Sequence, residues 1–311
     1  MYCVSGKYTG DGADNRQITI GFQPDAVFVK GNSTTEMVCR TSTMIGDVSK
    51  VMTANLDIST TPNHIQALNT TGFEVGTDSR VNENGKSYYW IAFQATPDIM
   101  KVGSYVGNGT DDRSITGVGF QPDCVIILPD YTNYATHRTS AMSGDKTFKF
   151  DSTMSRTNIV QALESDGFQV GTDTYANGDG NTYHYIAWKV VVGKFAVGSY
   201  TGNGTDNRSI TGVGFQPEWV VIKDGTGTSE GVSHPTSLGT ATDSSLRFKA
   251  TSNLANAIQA LESDGFQVGT HSIVNTNANT YYYFAMVGPP PAISITNGQI
   301  ELAGGQMEIR V

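Results

Sequence analysis

Cysteine is scarce, with three in 311 residues. Cys3, Cys39 and Cys124 fall at positions that do not correspond between the repeated segments described below, so a disulfide framework built into each repeat is excluded. No CxxC or Cys/His spacing of a zinc site is present. Long apolar runs are missing too, and none approaches the length of a membrane-spanning helix. The first ten residues, MYCVSGKYTG, hold neither a basic nor an apolar stretch of an export signal, and the expectation is a chain without one. Charged residues are only 16 % of the chain and the net charge is −9. Phosphate contacts dominate nucleic-acid affinity, so an acidic chain without a Lys/Arg cluster argues against a nucleic-acid partner. The acidic residues are scattered and read as solubility.

A catalytic constellation is also lacking. The five histidines never coincide between repeats: His64 stands where the others have Ile159 and Ala257, and His184 where they have Tyr89 and Tyr282. His271 replaces Asp78 and Asp173, while His137 and His234 sit in divergent segments. A repeated acid–base or metal site built on histidine is therefore excluded. No GxSxG nucleophile elbow occurs. Glu164 and Glu262, the only repeated glutamates, sit in an LESDG turn and read as solvated ends. The expectation is a non-enzymatic protein with no cofactor.

What is present is repetition, which governs everything else. GFEVGT at Gly72–Thr77 returns as GFQVGT at Gly167–Thr172 and Gly265–Thr270. GFQPD at Gly21–Asp25 returns at Gly119–Asp123, and as GFQPE at Gly214–Glu218. The period is about 95–98 residues, a common domain size and far longer than a solenoid unit. The units are placed at 1–97, 98–193 and 194–288, with a proline linker and β tail at 289–311.

Each unit opens with a short aromatic strand and a Gly-Asn/Asp turn: KYTGDGADNR (Lys7–Arg16), SYVGNGTDDR (Ser104–Arg113) and SYTGNGTDNR (Ser199–Arg208). An alternating run and a proline follow, then a continuous apolar strand: AVFVK (Ala26–Lys30), CVIIL (Cys124–Leu128) or WVVIK (Trp219–Lys223). Such continuity predicts a strand that is central or covered on both faces. The segments Gly31–Val48, Pro129–Lys146 and Asp224–Ser245 diverge and read as loops or exposed strands. A further strand follows, then one short helix at Pro62–Leu68, Thr157–Leu163 or Asn253–Leu261. Leu254, Ile258 and Leu261 have the helical spacing, and Gly72, Gly167 and Gly265 suit a helix C-cap. The unit closes with an aromatic strand, YYWIAF (Tyr88–Phe93), YHYIAW (Tyr183–Trp188) or YYYFAM (Tyr281–Met286).

The fold class expected is all-β: three tandem jelly-roll-like β-sandwich repeats, each with one short helix, plus a C-terminal β-hairpin tail. Short links without Gly/Ser tethers predict units held in a fixed relation. Asn297-Gly298 between alternating runs predicts the hairpin. Its apolar positions, Ile293, Ile295, Ile300, Leu302, Met307 and Ile309, are candidates for assembly against a partner edge.

Two further sets of residues are candidates for binding. Asp11, Asp14, Asn108, Asp111, Asn203 and Asp206 lie on the Gly turns with the oxygen chemistry of a calcium site. The simpler reading is a turn fixed by the arginine that follows at 16, 113 or 208. In the divergent segments, Tyr131, Tyr134 and His137 are candidate ligand-binding residues for a sugar.

The order YTGNGTDNRSITGVGFQPE, an apolar strand, a divergent middle, then LxSDGFxVGTD and an aromatic strand resembles a lectin-like β-sandwich domain of unknown function found in tailed-bacteriophage virion proteins. The match covers about Lys7 to Gly288, strongest at Asp166–Asp173 and weaker where His271 replaces the aspartate. The resemblance implies a fibre, decoration or tail-associated component, assembled in the host cytoplasm and located in the virion. Its partners would be further copies or other virion proteins. The alternative is a carbohydrate-binding module that recognises host surface glycans through the divergent loops.

Overall fold

The structure is a computed structural model that describes residues 2–289 except 33, 61, 154, 227 and 241, together with two strands at 293–296 and 299–302. The first unit contains eight strands: β1 (Tyr2–Thr9), β2 (Arg16–Thr19), β3 (Ala26–Gly31), β4 (Val38–Thr41), β5 (Lys50–Val51), β6 (Ile65–Asn69), β7 (Gly72–Val75) and β8 (Ser87–Gln94). They form two antiparallel sheets, one ordered β1-β8-β3-β4-β5 and the other β2-β7-β6. The first strand pairs with the last and the second with the last but one, each pair in its own layer. This nested wrapping is what makes the sandwich jelly-roll-like. The second unit repeats the same two sheets from Met100–Val106 to Thr182–Trp188. The third does so from Phe195–Thr201 to Thr280–Val287, with a short extra strand at Leu254–Ala255.

The continuous apolar strand is buried from end to end, as Ala26–Gly31 shows. Alternation divides its side chains between two cores. Val27 and Val29 face the three-stranded sheet and pack with Ile18, Ile65 and Phe73. Ala26 and Phe28 face the other way, into a core shared by all three units. That common core gathers Phe28 and Phe93 from the first unit, Trp188 from the second, and Trp219 and Phe284 from the third. All five are at most 1 % exposed. The three units are thus closed around one axis.

Three equivalent backbone hydrogen bonds close the ring. Met37 N donates to Phe248 O (2.9 Å), Gly231 N to Phe150 O (2.8 Å) and Ala135 N to Met52 O (3.2 Å). Each donor immediately precedes β4 or its counterpart, and each acceptor follows β5 or its counterpart. First binds third, third binds second, and second binds first. The axis is filled by unequal side chains in equivalent positions. Ala26 faces Phe93, Cys124 faces Trp188 and Trp219 faces Met286 across the strand pairs. A covalently linked trio can vary its residues this way, whereas identical subunits would place three copies of one side chain at the axis. Cys3, Cys39 and Cys124 are free and buried in this same core.

Two local expectations change. The divergent segments, expected as loops or exposed strands, hold β4 and its counterparts Thr136–Thr139 and Val232–Pro235, which are buried throughout because the closed ring covers their second face. The segments expected to be helical instead form β6 and its counterparts Val160–Glu164 and Ile258–Glu262. Each pairs with the GFxV strand through a β-bulge, with a register shift between Ile258 and Ala260 in the third unit. The bulge breaks the period of two, so Ile258 and Leu261 face one core at a spacing that imitates a helix. Gly265 is needed for close approach rather than for a helix cap: a Cβ there would lie 2.0 Å from Ile210 O. The short helices come later, as α1 (Thr174–Asn177) and α2 (Ser272–Asn275). Asp173 Oδ1 caps α1 by accepting from Tyr175 N (2.9 Å), and His271 Nδ1 does the same for Ile273 N (3.1 Å). The histidine that departs from the repeat keeps the aspartate's capping role. In the first unit Asp78 Oδ1 accepts from Arg80 N (2.8 Å) at the same place, within a turn.

The tail pairs Ile293 with Leu302 and Ile295 with Ile300 in an antiparallel two-stranded sheet. Met307 and Ile309 lie outside the described residues.

Candidate functional site

Three buried lysines, Lys30, Lys50 and Lys223, sit at the seams between units. Lys50 Nζ, from the first unit, donates to Leu56 O (2.8 Å) and to Tyr131 O of the second (3.0 Å). Lys223 Nζ, from the third, donates to Ser229 O and to Asp151 O of the second. Lys30 Nζ, from the first, reaches Lys249 O and Thr251 O of the third, both at 3.3 Å. Each seam therefore holds one buried ammonium that donates to backbone carbonyls across the joint. Burial lowers their pKa values, Lys50 to about 7 and Lys30 and Lys223 to about 8. Lys30 and Lys223 occupy equivalent positions, and Leu128 takes that place in the second unit.

The first-to-second seam also carries a hydroxyl–imidazole–carboxylate chain. Thr43 Oγ1 lies 2.7 Å from His184 Nδ1, and His184 Nε2 lies 2.7 Å from Asp130 Oδ1. These residues line a cavity of about 400 Å³ with Ile45, Ile58 and Ser104. Thr43 Oγ1 also lies 3.0 Å from Thr41 Oγ1, so the hydroxyl is held as part of the seam. Across the first-to-third seam, Ser5 N donates to Glu218 Oε1 (2.7 Å) and Ser237 N to Ser5 Oγ (3.0 Å).

Within every unit, one asparagine ties the opening turn to the rest. Asn82, Asn177 and Asn275 are fully buried at equivalent positions. Asn177 Oδ1 accepts from Asn108 N (3.0 Å) and Arg113 Nη1 (3.2 Å). Its Nδ2 donates to Thr110 O (2.7 Å) and Gly171 O (2.9 Å). Asn275 repeats all four contacts. Reading the motifs did not single these asparagines out, although they recur at the unit period.

The turn residues considered for calcium are engaged within the chain. Asn108 Oδ1 accepts from Thr110 N (3.1 Å), and Asn203 Oδ1 from Thr205 N (3.0 Å). Asp14, Asp111 and Asp206 each accept from a glutamine amide, Gln66, Gln161 or Gln259 (2.9–3.0 Å). Asp11 Oδ2 pairs with Arg16 Nε at 3.2 Å. Arg113 and Arg208 turn instead to carbonyl oxygens, Val106 O and Thr201 O (both 2.6 Å). Among the described residues, no group of three or more His, Cys, Asp or Glu is placed to hold a metal ion.

The repeat seen in sequence and structure is also matched by a known family. The domain of unknown function DUF7483 matches residues 1–97, 95–197 and 191–303. The chain belongs to the DUF7483 family. No curated protein and no solved structure matches it.

The second DUF7483 unit departs from the other two on its surface. Just before β4, Glu36 in the first unit pairs with Arg80 (Nε to Oε2, 3.0 Å). At the equivalent place in the third, Glu230 Oε1 accepts from Arg247 Nε (2.7 Å). The second unit has Tyr134 there. Tyr134 and Tyr175 lie with ring centroids 6.2 Å apart and planes 13° apart, and Lys149 Nζ is 5.1 Å from both. The other two sugar-binding candidates are placed elsewhere. Tyr131 Oη bonds to Tyr183 Oη (2.8 Å) and to Thr174 O. His137 is 1 % exposed in the interior, 4.6 Å from the Phe150 ring. Burial, reinforced by the Lys223 charge, drives its pKa down to about 3.

Proposed function

We propose that this chain is a non-enzymatic structural or adhesion component of a phage virion, such as a fibre, decoration or tail-associated protein. The observation that carries the reading is the closed ring. Three DUF7483 units share one core, and their inner faces are covered by one another. One chain therefore makes a trefoil body suited to bearing load or presenting its rim. The resemblance of the repeats to a tailed-phage virion domain supports the same reading. With the inner faces occupied, attachment falls to the C-terminal hairpin, whose register sets Ile293 opposite Leu302 and Ile295 opposite Ile300.

The native mass of the full chain, compared with a chain cut after Gly288, tests this. A discrete oligomer or filament that falls to a monomer of about 30 kDa on truncation supports assembly through the tail. A monomer in both forms overturns it.

A further inference from the structure

We propose that the second DUF7483 unit carries a binding site for a carboxylate-bearing sugar, built from Tyr134, Lys149, Arg156 and Tyr175. In the third unit, Arg247 occupies the strand position that Lys149 holds in the second, opposite Val232 and Thr136 respectively. There the chain supplies its own carboxylate, Glu230, to that cation. In the second unit the carboxylate is replaced by Tyr134 and the cation remains. Lys149 is only 5 % exposed, and among the described residues its ammonium makes no direct hydrogen bond or ion pair, although Asp151 and Asp173 lie close enough to favour its charge. An ammonium with no direct carboxylate contact is free to take one from a ligand, through a charge-assisted hydrogen bond.

The surroundings suit a sugar. Tyr134 and Tyr175 present two aromatic rings beside the ammonium, and sugar C–H faces pack on such rings. Arg156 adds a second cation, with Cζ 5.0 Å from the Tyr175 ring, and is half exposed. It borders an open depression of about 350 Å³ with Ser155, Thr157 and Asp173. The neighbouring carboxylates are engaged in part elsewhere. Asp173 Oδ2 is 3.2 Å from Arg156 Nη1 and its Oδ1 caps α1, while Asp151 Oδ1 accepts from Thr153 N (3.0 Å). The assignment deepens the adhesion reading by naming the ligand class and the unit that takes it.

The test is a glycan array probed with the full-length protein, followed by titration. The array carries uronic-acid and nonulosonic-acid glycans beside their carboxyl-reduced forms. Retention of carboxylated but not reduced glycans is expected. Tyr134→Glu rebuilds the ion pair of the third unit, so it is expected to fold and to weaken binding at least about tenfold. Tyr134→Phe is expected to bind like the parent, and Lys149→Met to lose binding. The proposal is overturned if no carboxylated glycan is retained or if reduced forms bind equally. It is also overturned if Tyr134→Glu binds like the parent, or if acetate or phosphate displaces the glycan at equal concentration, which would mark a simple anion site. The chain cut after Gly288 is expected to bind the glycan unchanged, so failure here and failure of tail-mediated assembly are separately visible.

Discussion

A single carboxamide in each unit does the work that an ion was considered for. Asn177 uses both oxygen and nitrogen, and its four partners belong to the opening turn, the arginine that follows it and the glycine just after the GFQV strand. Asn177→Ala leaves Asn108 N, Thr110 O and Gly171 O without that partner. We expect a loss of about 2–4 kcal/mol in urea unfolding, since orphaned buried polar groups retain their desolvation penalty. Asn177→Asp should be at least as damaging, because it turns an oxygen toward two carbonyls. A loss under about 1 kcal/mol for the alanine variant would show that the turn is held by other means. The asparagine was legible in the sequence as a repeated letter. Its role was not, because three of its four partners lie more than sixty residues away in the chain.

At the scale of elements, the seams set a pH dependence. Lys50 has a folded pKa of about 7, below the value of about 10.4 for a free lysine. Between those values the unfolded chain holds a proton that the folded chain has released, so this lysine makes stability rise with pH. Its destabilising effect is complete below about pH 7. Lys30 and Lys223, lowered to about 8, act in the same direction over a narrower window. The three buried thiols, whose pKa values are raised by burial, oppose this above about pH 8.5, where unfolded cysteines ionise. The window between about pH 7 and 8.5 belongs to the lysines. We expect Lys50→Met to flatten the rise in unfolding free energy across it, as followed by urea denaturation at matched ionic strength. An identical slope in the variant and the parent would remove Lys50 from the account. Sequence alone placed Lys30 and Lys223 at the ends of apolar strands. It held no sign that their ammonium groups end inside a neighbouring unit.

At the scale of the molecule, the shared core makes the units interdependent. The ring bonds from Met37 to Phe248 and from Ala135 to Met52 both join the first unit to the others. Its Phe28 and Phe93 lie 5.2 Å and 5.7 Å from the Trp219 ring of the third. Separating the first unit exposes these aromatic faces, and apolar area of that kind drives reassociation. Residues 1–97 and 98–311, produced together as two chains, are expected to purify as a one-to-one complex with the mass of the intact protein. Two independent, folded monomers in light scattering would show that the units are separable beads.

The sequence by itself determined the repeat, its period, the all-β class, the hairpin of the tail and the absence of a disulfide framework. These follow from local patterns: glycines where turns need them, alternation in strands, and motifs that return at fixed spacing. It also marked β3 and its counterparts as central or covered on both faces. Only the tertiary structure decided what covers the second face, because unequal residues such as Phe93, Trp188 and Met286 do not announce that they meet at one axis. It decided as well that the segment around Ile258 is a bulged strand, since a bulge and a helix can leave the same apolar spacing. Lys149, which makes no direct ion pair among the described residues, emerged in the same way. A missing carboxylate is visible only once Tyr134 is superposed on Glu36 and Glu230, and that correspondence comes from strand register rather than from any resemblance between those segments.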